Sequence, residues 1–137
     1  MIKMGTHWLI DAWGSSAQRL NDVDAVRQAL LSAIAAGNAT LVELCVHQFS
    51  PQGVTATATL AESHIAIHTW PEHGYFAADL FFCASGHPQQ ALAALCEHLA
   101  VTTYKTTKVR RGYPERSAHN KTTTSSSLNN CSFMRSL

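Results

Sequence analysis

Residues 60–70 read LAESHIAIHTW, and within them a carboxylate, a hydroxyl and two imidazoles gather on one short apolar stretch: Glu62, Ser63, His64 and His68. A strand that only fills a core alternates apolar with inert polar residues. Ser63, beside Glu62 in a constrained turn, carries a hydroxyl that can attack the carbonyl preceding it, given a base and a strained peptide. Most serines at strand starts instead make turn hydrogen bonds, so the pair alone leaves both readings open. His64 and His68 share one side of a strand and, with His73 and Cys83, could surround a metal. That spacing matches no standard zinc pattern, and no metal is expected. A cysteine at a strand end, as Cys83 is, is ordinarily a small hydrophobe; its place on the face with the histidines is what gives it chemistry. Cys45 and Cys96 lack that company and read as structural. Phe49 and Trp70 stand at strand ends, where a planar ligand can stack between aromatics, although packing explains them equally well.

These residues need a scaffold, and the periodicity supplies one. Residues 7–13 read as a strand. Asn21 is the expected cap of a helix that carries Val23, Val26, Leu30 and Ile34 along one face and ends at Gly37. Strands are expected at about 40–49, 53–60, 64–70 and 75–83, punctuated by turns at Pro51-Gln52-Gly53 and Pro71-Glu72-His73-Gly74. A second helix opens at Pro88 and buries Leu92, Leu95, Cys96 and Leu99; a last strand covers about 102–110.

Successive strands with two helices imply an α+β two-layer sandwich, an antiparallel sheet covered on one face by the helices. Val42, Leu44, Val46, Val54, Ala56, Ala58, Leu60, Phe76, Ala78, Leu80 and Phe82 form its core side. The other side carries Glu43, Cys45, His47, Phe49, Thr55, Thr57, Thr59, His64, His68, Trp70, Asp79, Phe81 and Cys83. Too polar for a core and too aromatic for plain solvent, it is expected to meet a ligand or a partner, and a homodimer packed sheet to sheet fits.

At 137 residues and 46% hydrophobic content the chain can bury one core, so residues 1–114 are read as a single domain. From residue 115 onward KTTTSSSLNN and its neighbours carry almost nothing for a core, and residues 115–137 read as a disordered tail. With 14% charged residues and a net charge of +1, the chain has no basic stripe suited to nucleic acid; Lys105, Lys108, Arg110 and Arg111 read as an ordinary strand end. No apolar run approaches a membrane span and the start resembles no signal peptide, so a cytoplasmic protein is expected. The four cysteines form no CxxC pair and are read as free thiols.

The run HQFSPQGVTATATLAESHIAIHTWPEHGYFAADLFFC resembles the prokaryotic S-adenosylmethionine decarboxylases, with a GVS-like turn, an ESH segment, IHTWPE and a GY…D.F.C strand; the likeness spans roughly residues 5–112. The resemblance implies that Ser63 attacks the Glu62 carbonyl to form an ester. β-Elimination then cuts the chain between 62 and 63 and leaves a pyruvoyl group derived from Ser63. It further implies that His68 transfers protons in that processing, supported by Thr55, and that Cys83 protonates the substrate carbon after decarboxylation. Phe49 is implied to stack on adenine and Glu72 to meet the ribose hydroxyls, in a homodimer with its sites at the interface. A ketone suits the task because no side chain is electrophilic enough to stabilise the carbanion left by carbon dioxide. A thiol is a fitting proton donor, because its reference acidity lies near neutrality.

This chain departs from the pattern at Thr55 in Gly53-Val54-Thr55-Ala56, at Ser15-Ser16 where the family has Cys-Asp, at Phe82 and at His73. These departures fall around the processing residues, so substrate identity is less fixed than chemistry. S-Adenosylmethionine is the expected small-molecule substrate, feeding spermidine synthesis. A same-family enzyme for ornithine or arginine would instead use Asp11, Glu43 and Asp79 as carboxylate partners. A catalytically silent regulatory subunit is the remaining alternative, which intact Ser63, His68 and Cys83 oppose.

Overall fold

A computed structural model describes residues 5–112; the expected tail at 115–137 lies outside the described residues. Alternation in GTHWLIDAW gives β1 (Gly5–Trp13), with Ile10 and Ala12 buried while Leu9 and Trp13 stay exposed. A short helix, α1 (Ala17–Leu20), follows; its four residues are too few for periodicity to reveal. The two departures at Ser15-Ser16 both have structural work. Ser16 accepts the Arg19 amide as cap of α1, and the Ser15 hydroxyl donates to the Leu99 carbonyl.

The second helix, α2 (Val23–Ala36), is capped by Asp22, not by Asn21 as expected. Asp22 Oδ1 accepts the amides of Asp24 and Ala25, at 2.9 and 3.2 Å. Asn21 closes α1 instead, and its side-chain oxygen accepts the Gly53 amide at 2.9 Å, tying the helix junction to the turn before Val54. Along α2, Val26, Ala29, Leu30, Ala33 and Ile34 are buried, and the helix ends at Gly37 as expected.

Four strands succeed one another: β2 (Leu41–Gln48), β3 (Val54–Leu60), β4 (Ser63–Trp70) and β5 (Tyr75–Phe82). One turn of 3-10 helix, Pro71–His73, fills the expected turn between the last two and closes on Gly74 at φ 58. A Cβ there would stand 2.9 Å from the Ser15 carbonyl oxygen, so glycine is required on both counts. Then come α3 (Pro88–His98) and β6 (Thr103–Arg111). The sheet is antiparallel throughout, in the order β2-β3-β4-β5-β1-β6, so β1 is inserted between β5 and β6.

Helices α2 and α3 pack together over one face, enclosing Phe76, Phe82, Leu30, Ile65, Ile67, Leu80 and Leu95. The predicted core side holds, with one correction. Val42 is 65% exposed, because the pairing of β2 with β3 shifts register between Leu41 and Glu43, and a bulge on an edge strand releases the residue from the alternation. Cys45, read as structural, is also exposed on that strand, whereas Cys96 is buried.

Thr69 links the layers. Fully buried, its hydroxyl donates to the Leu20 carbonyl at 2.7 Å and accepts the Val54 amide at 2.9 Å. Thr69→Val keeps the shape and strands both backbone groups, so we expect a loss of about 2–4 kcal/mol, read as a lower urea midpoint at unchanged slope. A loss under about 0.5 kcal/mol would mean that neither bond matters to stability.

Candidate active site

Antiparallel pairing sorts the singled-out residues to opposite ends of the sheet. At one end lie the start of β4, the end of β5 and the start of β1. Glu62 occupies the tight link from β3 to β4 with φ 62, a left-handed conformation costly for a residue with a Cβ. Ser63 follows it, half-buried, with its hydroxyl donating only a long 3.4 Å bond to the Ala61 carbonyl. The hydroxyl is therefore weakly committed, next to the one peptide of the link that is held under strain.

Cys83 stands across the same end. The register that pairs His64 with Phe81 brings Cys83 opposite Glu62 two steps further on. Its sulfur lies 3.3 Å from the Ser85 hydroxyl, and donation from that hydroxyl, then from the Ser85 and Gly86 amides, lowers the thiol pKa. Partial burial and the Glu62 carboxylate oppose the shift without cancelling it. By contrast, burial pushes the Cys96 thiol up to about 11. Sequence reading missed Ser85; the residue lies two positions beyond Cys83, and its role depends on a loop geometry that no periodicity carries.

Ser63 and Cys83 open onto a cleft of about 190 Å³ that also includes Asn38, Thr40, Glu62 and Ser85. Cys83 and Gly86 are shared with a neighbouring cleft of about 290 Å³ reaching Lys108 and Arg110. Each is at or below the roughly 300–1,000 Å³ of pockets that enclose a ligand of nucleoside size.

The remaining predicted residues lie at the far end. Thr55 pairs with His68 across β3 and β4, and its hydroxyl is 3.0 Å from His68 Nδ1. Threonine at this position thus supplies a hydroxyl to the His68 ring. His68 packs near Trp70, Trp70 near Tyr75, and Tyr75 near Trp13, at ring separations of 6.5, 5.4 and 5.6 Å. Phe49, in the turn after β2, meets the His47 ring edge-on at 4.6 Å, and Glu72 is exposed on the 3-10 turn after Trp70. The two ends do not meet within one chain. Ser63 and His68 are five residues apart on one strand, about 16 Å at roughly 3.3 Å per residue.

The metal grouping considered from sequence, His64 with His68, His73 and Cys83, does not assemble for the same reason. His64 turns instead to Asp79, whose Oδ2 is 2.6 Å from His64 Nε2 and 2.8 Å from His7 Nε2. Neither His7 nor this grouping was legible in the sequence, since it depends on β1 pairing with β5. Of the carboxylates that a cationic amino acid would need, Asp79 already holds two imidazoles. Asp11 accepts the Tyr75 hydroxyl, and burial, with this bond second to it, raises the Tyr75 pKa. Glu43 is exposed on an edge strand.

The family model for S-adenosylmethionine decarboxylase matches residues 6–112, a span that contains both ends of the sheet. The chain belongs to the S-adenosylmethionine decarboxylase family. It is 41% identical over 113 residues to the S-adenosylmethionine decarboxylase proenzyme of Methanococcus vannielii, covering 82% of this chain and 93% of that protein. The proenzyme of Moorella thermoacetica is 39% identical over 116 residues, covering 84% and 93%. The crystal structure of the adenosylmethionine decarboxylase from Aquifex aeolicus VF5 superposes with a TM-score of 0.77 at 30% identity, over 86% of this chain and 98% of that one. The α+β fold expected from alternation is thus the fold of a family member. Among the described residues no helix is long and apolar enough to cross a membrane.

Proposed function

We propose that the chain is a self-processing decarboxylase that removes carbon dioxide from S-adenosylmethionine and yields the aminopropyl donor for spermidine synthesis. The observation that carries the reading is the left-handed Glu62 joined to a weakly bound Ser63 hydroxyl, with the acidified Cys83 thiol facing them. In processing, Ser63 Oγ bonds to the Glu62 carbonyl carbon as the Glu62–Ser63 C–N bond breaks, giving an ester and a free amine. Loss of the Ser63 α-proton expels the Glu62 carboxylate, and water then releases ammonia, leaving a pyruvoyl group at position 63. Release of backbone strain at Glu62 favours the first step.

The pyruvoyl group supplies the electron sink for loss of carbon dioxide. Around it, the chain's own residues bind and move protons. Cys83, lining the same cleft as the new amino terminus, delivers the proton to the substrate carbon. His68, held at Nδ1 by Thr55, handles protons during processing. Phe49 stacks on the adenine, and Glu72 accepts from the ribose hydroxyls.

Because His68 stands about 16 Å along β4 from Ser63, with Thr55 paired to it on β3, we place both in the site of a second protomer. A two-fold homodimer packed through the open sheet face brings the far end of one sheet to the near end of the other. Exposed Leu9, Trp13 and Val109, spread along that face, support burial there. Such packing also enlarges the two small clefts into one enclosed site. The described domain then acts as one folded unit cut between 62 and 63, in the cytoplasm.

Intact-mass measurement of the purified protein tests the processing, with two fragments meeting after Glu62 expected, the second blocked at its amino terminus. Release of labelled carbon dioxide from carboxyl-labelled S-adenosylmethionine, and not from ornithine or arginine, tests the substrate.

The proton donor carries a further expectation. Cys83 must hold its proton to act as an acid, so activity falls as pH rises through the thiol pKa, which lies below its ordinary value. Ser85→Ala removes the leading stabiliser of the thiolate and raises that pKa. The alkaline limb of the kcat profile then moves upward, by about half a pH unit or more on the scale of a hydrogen bond to a charged group. An unmoved limb with a shifted acidic limb would mean that the thiolate is the working form.

A further inference from the structure

His7, His64 and Asp79 come from three adjacent strands, β1, β4 and β5, and have no part in the mechanism above. Both histidines pair with Phe81 across the sheet, one on each side, and reach diagonally to Asp79 two residues away on the same face. Their rings pack on Phe81, His7 edge-on at 5.5 Å and His64 stacked at 6.0 Å, which limits their rotation. Two ring nitrogens and one carboxylate oxygen lie within 4.8 Å of one another. The side chains are neither buried nor free in the single chain, at 19%, 43% and 27% exposure, so an ion can reach them before two chains pair through the open face.

We infer that His7 Nε2, His64 Nε2 and Asp79 Oδ2 form a binding site for one transition-metal dication of the zinc, cobalt or nickel class. Two imidazoles and one carboxylate suit that class rather than magnesium or calcium, which demand oxygen ligands. Bonds of about 2.0–2.1 Å set tetrahedral ligand atoms roughly 3.3 Å apart. The present 2.6 and 2.8 Å separations therefore open by about 0.5 to 0.7 Å, a motion within reach of side-chain rotation alone. The fourth position faces outward, to water or a partner's surface.

Loading has one identifiable competitor. Arg111 Nη1 lies 3.2 Å from His7 Nδ1 and can only donate, so His7 carries its proton on Nε2 and gives it to Asp79. To ligate through Nε2, His7 moves that proton to Nδ1, and no net proton is lost. A protonated Nδ1 opposes the guanidinium, so Arg111 must swing aside into solvent, leaving its place over Phe81. Arg111 thus sets the affinity of the site without touching the ion.

The test uses the full-length purified protein, stripped with a chelator and titrated with Co²⁺. One equivalent per chain with visible d–d absorption is expected. Asp79→Asn and His7→Gln are expected to weaken binding at least tenfold with unchanged circular dichroism. Arg111→Ala, a surface change that leaves the ligands in place, is expected to tighten it severalfold. Absence of visible absorption, or binding that all three variants leave unchanged, overturns the proposal. So does a thiolate-to-cobalt charge-transfer band, which would place the ion at a cysteine.

Discussion

Ser63→Ala leaves the purified protein as one 14.9 kDa chain, and decarboxylation falls to background. The substitution removes the only atom that can open the Glu62–Ser63 peptide by attack from within, and with it the precursor of the electron sink. Without that sink the reaction returns toward its uncatalysed rate, a loss of about a millionfold or more on the general scale of enzymatic acceleration. Loss of fold does not explain such a result. Ser63 Oγ makes a single 3.4 Å bond to the Ala61 carbonyl, and its removal should alter stability by about 0.5 kcal/mol or less. Circular dichroism and a thermal midpoint close to the parent's would confirm that the chain is intact. Fragments persisting in Ser63→Ala would mean that cleavage is the work of another residue or of a contaminating protease.

The features legible in the sequence are those that depend on neighbours along the chain. Alternation in YFAADLFF placed Phe76, Ala78, Leu80 and Phe82 inward, and they are buried. The three-and-four spacing from Val23 to Ile34 gave α2 its buried face. Cys83 beside the Glu62–Ser63 link follows from a hairpin whose two strands are equal in length. What stayed hidden depends on partners distant in sequence. Asp22 takes the cap because Asn21 is drawn toward Gly53, 32 residues away. Val42 leaves the core because an edge strand tolerates a bulge that a central strand would not. The His7–Asp79–His64 group exists only because β1 enters the sheet between β5 and β6, a placement that leaves no mark on the local pattern. The separation of Ser63 from His68 is a different case. Counting along the strand already keeps them apart within one chain, so the shared role in processing proposed for them calls for two chains.

That requirement yields the sharpest test of the site. His68→Ala expressed alone stays uncut, as Ser63→Ala does. Co-expressed with differently tagged Ser63→Ala chains, the His68→Ala chains become cleaved. In a mixed dimer one site joins the intact Ser63 of the first chain to the intact His68 of the second, while the other site lacks both. Random pairing of equal pools puts roughly half of the His68→Ala chains in mixed dimers, and that is the largest fraction that can be cut, while Ser63→Ala chains remain whole. Decarboxylation returns with the cut chains, because each restored site also holds Cys83 and Ser85 of one chain with Phe49 and Glu72 of the other. Mixed dimers captured through both tags and still uncut would place the base in the same chain as the nucleophile. Strand β4 would then have to break between Ser63 and His68 to bring them together, against the ladders that pair Leu60 with Ser63 and Thr55 with His68 at its two ends. A strand flanked on both sides by hydrogen-bonded neighbours does not bend so far at small cost, and for that reason we propose the two-chain site.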